Sequence, residues 1–191
     1  ARAGICDEEL CHVVARRFTR SIAEIDAMAL TSAVYACGLV SFFDRPFFEA
    51  VSAFLHDALR HPGAGLESQQ VSNIVYTFGK LGFCPDKTLH AVVKFAIADL
   101  WRFKAQELDN LTYGFALLKF RNDSYLARLQ QHLVDDGRVD KLDAQSLVSM
   151  AYSHALLGYT NAVALRAIGD RAIPKLHHFK AEEFSIMVFS L

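Results

Sequence analysis

Residues 71–83 read VSNIVYTFGKLGF, and the same columns return without gaps as LTSAVYACGLVSF at 30–42, LDNLTYGFALLKF at 108–120 and LVSMAYSHALLGY at 147–159. A fifth copy, FSIMVFSL at 184–191, begins the same pattern. An apolar residue opens each copy: Leu30, Val71, Leu108, Leu147 and Phe184. An aromatic follows five residues later: Tyr35, Tyr76, Tyr113, Tyr152 and Phe189. Then come a small residue (Gly38, Gly79, Ala116, Ala155), an aliphatic (Val40, Leu81, Leu118, Leu157) and a closing aromatic (Phe42, Phe83, Phe120, Tyr159). Successive copies start 41, 37, 39 and 37 residues apart. A fixed period of this size marks stacked supersecondary units, each of which needs its neighbours to bury its apolar face.

Within a copy, apolar or small residues fall at relative positions 0, 3, 5, 8, 10 and 12. That spacing is helical and wider than one stripe, so it predicts an inner helix packed on two sides. The small column lets helices approach closely, and the spacing of both aromatic columns places them in the core, the alternative being the stacking of bases. A second helix follows each copy, over 45–60, 86–101, 123–136 and 161–173, with Asp44, Asp86, Asp123 and Asn161 preceding or opening them as N-caps. Its apolar stripe is one-sided, as in Leu89, Val92, Val93, Ala96 and Leu100, which predicts an outer layer. Ser68 and Asp143 read as start signals for two inner helices, residues 7–20 as an outer helix of an incomplete unit, and HPGAG (61–65) as the clearest break.

The expected fold is therefore an all-α solenoid of stacked helical hairpins. An incomplete repeat at 1–23 precedes repeats at 24–65, 66–103, 104–141 and 142–179, and an incomplete repeat follows at 180–191. The incomplete ends are expected to expose apolar surface that further chain or partners cover.

Composition agrees. Hydrophobic residues make up 52% and charged residues 21%, which excludes the disordered class, and the 4 Pro and 10 Gly fall mostly between apolar stretches. The formal charge of −1 excludes a strongly basic nucleic-acid binder, so any RNA contact must use a local patch. Arg45 and Arg60 stand against Glu24, Asp26, Asp44, Glu49 and Asp57 in residues 21–65. Residues 142–180 hold Arg166, Arg171, Lys175 and Lys180 against Asp143 and Asp170, beside His177 and His178. The latter stretch is the better polyanion candidate, its alternative being a solvated face.

The cysteines, Cys6, Cys11, Cys37 and Cys84, suggest no disulfide frame and include no C-x-x-C, which points to a reducing compartment, either cytosol or an organelle matrix. Cys6, Cys11 and His12 lack a fourth ligand at zinc spacing, so no metal and no cofactor is assigned. There is no P-loop: FGKLGF (78–83) lacks the upstream glycine, and GAG (63–65) reads as a turn. G-x-S-x-G, H-E-x-x-H and EF-hand patterns are also missing, so the chain is read as non-catalytic. The uncharged stretches 27–43 and 144–165 are interrupted by polar residues and fall short of a spanning helix, so no membrane insertion is expected. No signal or transit peptide is recognisable.

The pattern apolar–x–Asn/Ser–x–x–aromatic–x–x–small–x–aliphatic–x–aromatic, carried by QQVSNIVYTFGKLGF (69–83) and AQSLVSMAYSHALLGY (144–159), resembles the octotricopeptide and heptatricopeptide repeats of organellar proteins. It also looks like the helical region of FAST-kinase-like and RAP-domain proteins. The resemblance covers nearly the whole chain through degenerate motifs. Tetratricopeptide units, at about 34 residues, fit worse, and HEAT-type units of about 40–47 residues stay open. The resemblance implies RNA metabolism in the mitochondrial matrix, or in a plastid, in a ribosome or RNA-processing complex, with one helix layer lining an RNA-facing groove. No RAP domain is visible, which leaves nuclease-like activity unsupported.

The third column of the inner helices, Ser32, Asn73, Asn110 and Ser149, repeats one short polar side chain per unit. Such a row could read one base edge each, or hold the stack together through hydrogen bonds between repeats. Gln69, Lys80, Asp109, Lys119 and Gln145 flank it. The candidate RNA contacts are thus Gln69, Asn73, Lys80, Asn110, Lys119, Gln145 and Ser149, with Arg166, Arg171 and Lys175 from the basic stretch. The alternative is a protein–protein scaffold in a large organellar assembly, suggested by the near-zero charge, the apolar ends and the lack of a basic stripe.

Overall fold

The apolar periodicity resolves into two layers of helices in the computed structural model, which describes residues 7–61 and 65–191. The inner layer holds α2 (Ala27–Leu39), α4 (Ser68–Leu81), α6 (Ala105–Leu117), α8 (Ala144–Leu156) and α10 (Ala181–Ser190). The outer layer holds α1 (Glu8–Arg20), α3 (Arg45–Arg60), α5 (Asp86–Ala98), α7 (Asp123–Val134) and α9 (Ala162–Ala172). Each helix packs on the next of its own layer, so neighbours follow sequence order. Among the described residues there is no strand, and the fold is all-α with a repeat-like stacking of helices. Cys6 and residues 62–64, hence most of the HPGAG break and of GAG, lie outside the described residues.

The core runs between the layers. From the outer helices it takes Phe47, Phe48, Val51 and Leu55, then Leu89, Val92, Val93 and Ala96, then Leu126, Leu129 and Leu133. From the inner helices it takes Leu30, Val71, Leu108 and Leu147, the opening column of the four complete copies, with Phe78 and Phe115, whereas Phe184 of the fifth copy is exposed. The expected one-sided stripe is buried throughout, but the helix expected over 86–101 ends at Ala98, and Leu100 opens a separate 3₁₀ turn, Leu100–Arg102. Among the described residues no helix is long and apolar enough to cross a membrane.

Every complete inner helix ends in the same way. Ser41, Gly82, Lys119 and Gly158 adopt positive φ of 55°, 67°, 54° and 63°. The next residue donates its backbone N–H back across the turn: Phe42 to Cys37, Phe83 to Phe78, Phe120 to Phe115 and Tyr159 to His154, each at 2.9 Å. This is the left-handed helix stop that satisfies orphan carbonyls and turns the chain toward the outer layer. It also places the closing aromatic against the core.

Helix starts differ in part from expectation. Asp44 and Asn161 cap α3 and α9 as read, and Asp143 caps α8 through the Ser146 N–H at 2.8 Å. Asp86 and Asp123, however, are first helical residues: Pro85 precedes α5, and the Asn122 side chain caps α7 by accepting from Tyr125 N–H at 3.0 Å. Ser68 lies inside α4. Three other inner helices start by a residue reaching back to the backbone N–H three positions earlier: Gln70 to Glu67, Glu107 to Lys104 and Glu183 to Lys180, at 2.8, 3.0 and 2.8 Å. This is one half of the capping box, and it leaves the Ser68 hydroxyl to bond the Glu107 carboxylate at 2.7 Å across to the next repeat.

The small column does bring helices together, with a partner the sequence reading missed. A Cβ on Gly38 would lie 3.0 Å from the Thr77 Cγ2, and one on Gly79 would lie 2.8 Å from the Gly114 carbonyl oxygen. Thr77 and Gly114 belong to a second small column, Ala36, Thr77, Gly114 and Ser153, two positions upstream. The inner layer is thus threaded by one small column packing on another.

Candidate functional site

Helical geometry decides what the inner layer presents outward. Residues four, seven and eleven apart share a face. On α4 that face carries Gln69, Asn73, Tyr76 and Lys80, on α6 Gln106, Asn110 and Tyr113, and on α8 Gln145, Ser149 and Tyr152. Six of the sequence candidates, Gln69, Asn73, Lys80, Asn110, Gln145 and Ser149, therefore share one surface. Gln69, Lys80 and Gln145 are exposed, and the other three are half-buried.

The first aromatic column corrects the core expectation. Tyr35 is 42% exposed and Phe189 73% exposed, and Tyr76, Tyr113 and Tyr152 are half-buried. The rings from Tyr76 onward form a ladder across the repeats, with centroids 6.1 Å apart from Tyr76 to Tyr113, 6.3 Å from Tyr113 to Tyr152 and 6.4 Å from Tyr152 to Phe189. The physical reason is that position five lies on the stripe of positions two and nine, turned away from the outer helices. The closing column keeps the core role, with Phe42 buried and Phe83, Phe120 and Tyr159 packed against the core. Burial pushes the Tyr76 and Tyr113 phenols above their ordinary range, with smaller contributions from neighbouring tyrosines and Asp109, so these two rings are uncharged at neutral pH. Lys80 holds its ammonium 6.0 Å from the Tyr76 ring centroid.

The polar row does two things. Asn110 Nδ2 donates to Asn73 Oδ1 at 3.3 Å, tying α6 to α4. The remaining capacity of both amides, with Gln69 and Gln145, faces outward. Beside this row is a pocket of about 250 Å³, lined by Tyr76, Asp109, Asn110, Tyr113, Gln145 and Ser149 among others. Asp109 is only 8% exposed, and its Oδ1 has no hydrogen-bond partner. Burial raises this carboxyl to about 7; the Ser149 and Ser146 hydroxyls pull it down, and the Asp143 charge adds to the rise.

The other four candidates are elsewhere. Lys119 is the left-handed residue in the turn after α6, off the stripe. Arg166 and Arg171 belong to α9 in the outer layer, whereas Lys175 belongs to the 3₁₀ segment Ile173–His178, which packs on both α8 and α9, and lines a pocket there with Asp143 and Gln145. Arg171 pairs with Asp140, and the Lys175 ammonium donates to the Leu142 carbonyl. His12, weighed for metal, places Nδ1 2.9 Å from Asp44 Oδ2, at the cap of α3.

Sequence reasoning passed over Gln106 and treated Asp109 only as a flank. The signal for Gln106 was present, because Gln69, Gln106 and Gln145 form a column two before each opening residue. For Asp109 no column signal exists, since Thr31, Ser72 and Val148 occupy its position in the other repeats.

No protein-family model matches this chain, and no curated protein matches it.

Proposed function

We propose that the inner face binds single-stranded RNA and that the protein is a non-catalytic helical-repeat component of an organellar ribonucleoprotein, a ribosome or an RNA-processing complex, in the mitochondrial matrix or, alternatively, a plastid. The observation that carries the reading is the ladder of Tyr76, Tyr113, Tyr152 and Phe189, flanked by amides and hydroxyls. Unstacked bases lie on aromatic faces and offer their edges to such groups, at about 1–3 kcal/mol per stacked base. The resemblance to organellar RNA-binding repeats supports the same reading and is the sole ground for the compartment.

The second reading is a protein scaffold. It rests on the sparse positive charge of this face, where Lys80 stands against Asp109 and Glu183, and on Met28, Leu39 and Leu156, exposed by 67%, 53% and 39% beside the ladder.

Fluorescence anisotropy with an unstructured RNA separates the two. RNA binding predicts a salt-sensitive isotherm, weakened by Tyr76→Ala with Tyr113→Ala and by Lys80→Glu. Absence of binding at low salt would favour the scaffold.

A further inference from the structure

The pocket under the ladder holds a carboxylate where an RNA groove would be expected to hold cations. Asp109 is more than nine-tenths buried and lines a 250 Å³ space walled by Tyr76 and Tyr113 and flanked by Asn110 and Gln145; its Oδ1 is unpartnered and closed to solvent, and the Ser149 and Ser146 hydroxyls bond the carboxylate. Such a group repels phosphate, so it does not serve a strand's backbone. An ionised carboxylate is acceptor-only and takes two parallel N–H donors. Among the four RNA bases, only guanine presents two adjacent donors, N1–H and N2–H, on its Watson–Crick edge. Adenine and cytosine place a ring acceptor beside their amine, and uracil flanks its single N–H with two carbonyls. A neutral phenol ring forms the wall against which a planar base lies, and the side-chain amides beside it match the O6 and N7 acceptors.

We propose that the Asp109 pocket is a guanine-recognition site, in which the carboxylate turns from the Ser146 and Ser149 hydroxyls to receive N1–H and N2–H while the base lies against the tyrosine ladder. This rests on the RNA-binding reading for the source of the base. Because the ionised form is the acceptor, guanine affinity rises as pH goes from 6 to 8. The groups facing Asp109 are Tyr76 on α4, Tyr113 on α6, Tyr125 on α7, Asp143 and Tyr152 at and on α8, and Glu183 on α10. Burial holds the Tyr76, Tyr113 and Tyr125 phenols neutral across that range.

The test uses the 191-residue chain with oligouridine strands carrying one central G, A or C, and guanosine monophosphate as a free ligand. The G strand is expected to bind about tenfold more tightly than the A or C strand, the scale of one bidentate base contact. Asp109→Asn places a donor beside an acceptor, so the preference should move from G toward A or C, and its pH dependence should vanish while Glu183→Gln retains it. Thermal melting of both variants verifies that the fold is kept. Equal binding of all strands, or a G preference that survives Asp109→Asn, overturns the guanine site and leaves RNA binding standing. Asp109-dependent binding of guanosine monophosphate without any strand binding supports the pocket and removes the RNA reading. Failure of strands and nucleotide alike overturns both.

Discussion

The α4–α6 and α6–α8 junctions use the same columns and do different things with them. At α4–α6, Gly79 meets Gly114 with the backbones in contact, so that a Cβ on Gly114 would lie 2.8 Å from the Val75 carbonyl oxygen. Asn73 and Asn110 tie the same two helices by a side-chain hydrogen bond. At α6–α8 the columns supply Ala116 and Ser153, and a carboxylate is buried in place of the small polar residues Thr31 and Ser72. The first junction is built for close packing. The second tolerates a buried group that folding would reject unless something else required it. Identical repeat geometry therefore leaves room for specialisation wherever stability is supplied by a neighbour.

The comparison breaks first at the glycines. Gly114→Ala should cost about 3 kcal/mol through backbone overpacking, read from urea denaturation, whereas Ser153→Ala in the same column should stay within about 1 kcal/mol. Equal costs would mean that the two junctions are packed alike.

Next in size is the Asp109 carboxyl. Its folded pKa of about 7 lies above the ordinary value of 3.8, so the folded state binds the proton more tightly. Its contribution is favourable at low pH and is lost as pH rises from about 4 to 7. Between pH 5 and 8 the wild type should lose on the order of 2–3 kcal/mol relative to Asp109→Asn. Parallel pH profiles of the two proteins would show the carboxyl to be ordinary.

Asn73→Ala should cost about 1 kcal/mol, and a double-mutant cycle with Asn110→Ala should return a coupling on that scale. A coupling near zero would free the amides entirely for ligand. The smallest effect concerns the end of α6. Lys119→Gly should stabilise by about 0.5–1 kcal/mol, because Gly82 and Gly158 occupy the same left-handed position without a Cβ penalty, measured as a rise in melting temperature.

The period and the helices were legible because apolar columns recur at helical spacing over five copies. Outer-helix burial followed from a one-sided stripe, and Asp44, Asp143 and Asn161 were readable as caps because each is a short acceptor before an apolar run. Asp86 and Asp123 were misread by one position: Asn122 is itself a short acceptor and takes the cap of α7, and Pro85 precedes α5 without a side-chain cap. Six candidate contacts fell on one face because they share a helical stripe. Lys119 and the α9 cations did not, because charge counting along the chain ignores which layer a helix joins.

What the sequence determined by itself is the alternation of two helix types and the residues in each column, since both follow from the 3.6-residue turn. What only the tertiary structure decided is which columns are dry. Position five looked like core because an aromatic at helical spacing usually is, yet the rings of Tyr76, Tyr113 and Tyr152 reach the surface. A helix fixes the angle between its own side chains, but the direction of the core is fixed by the helices that pack on either side of it.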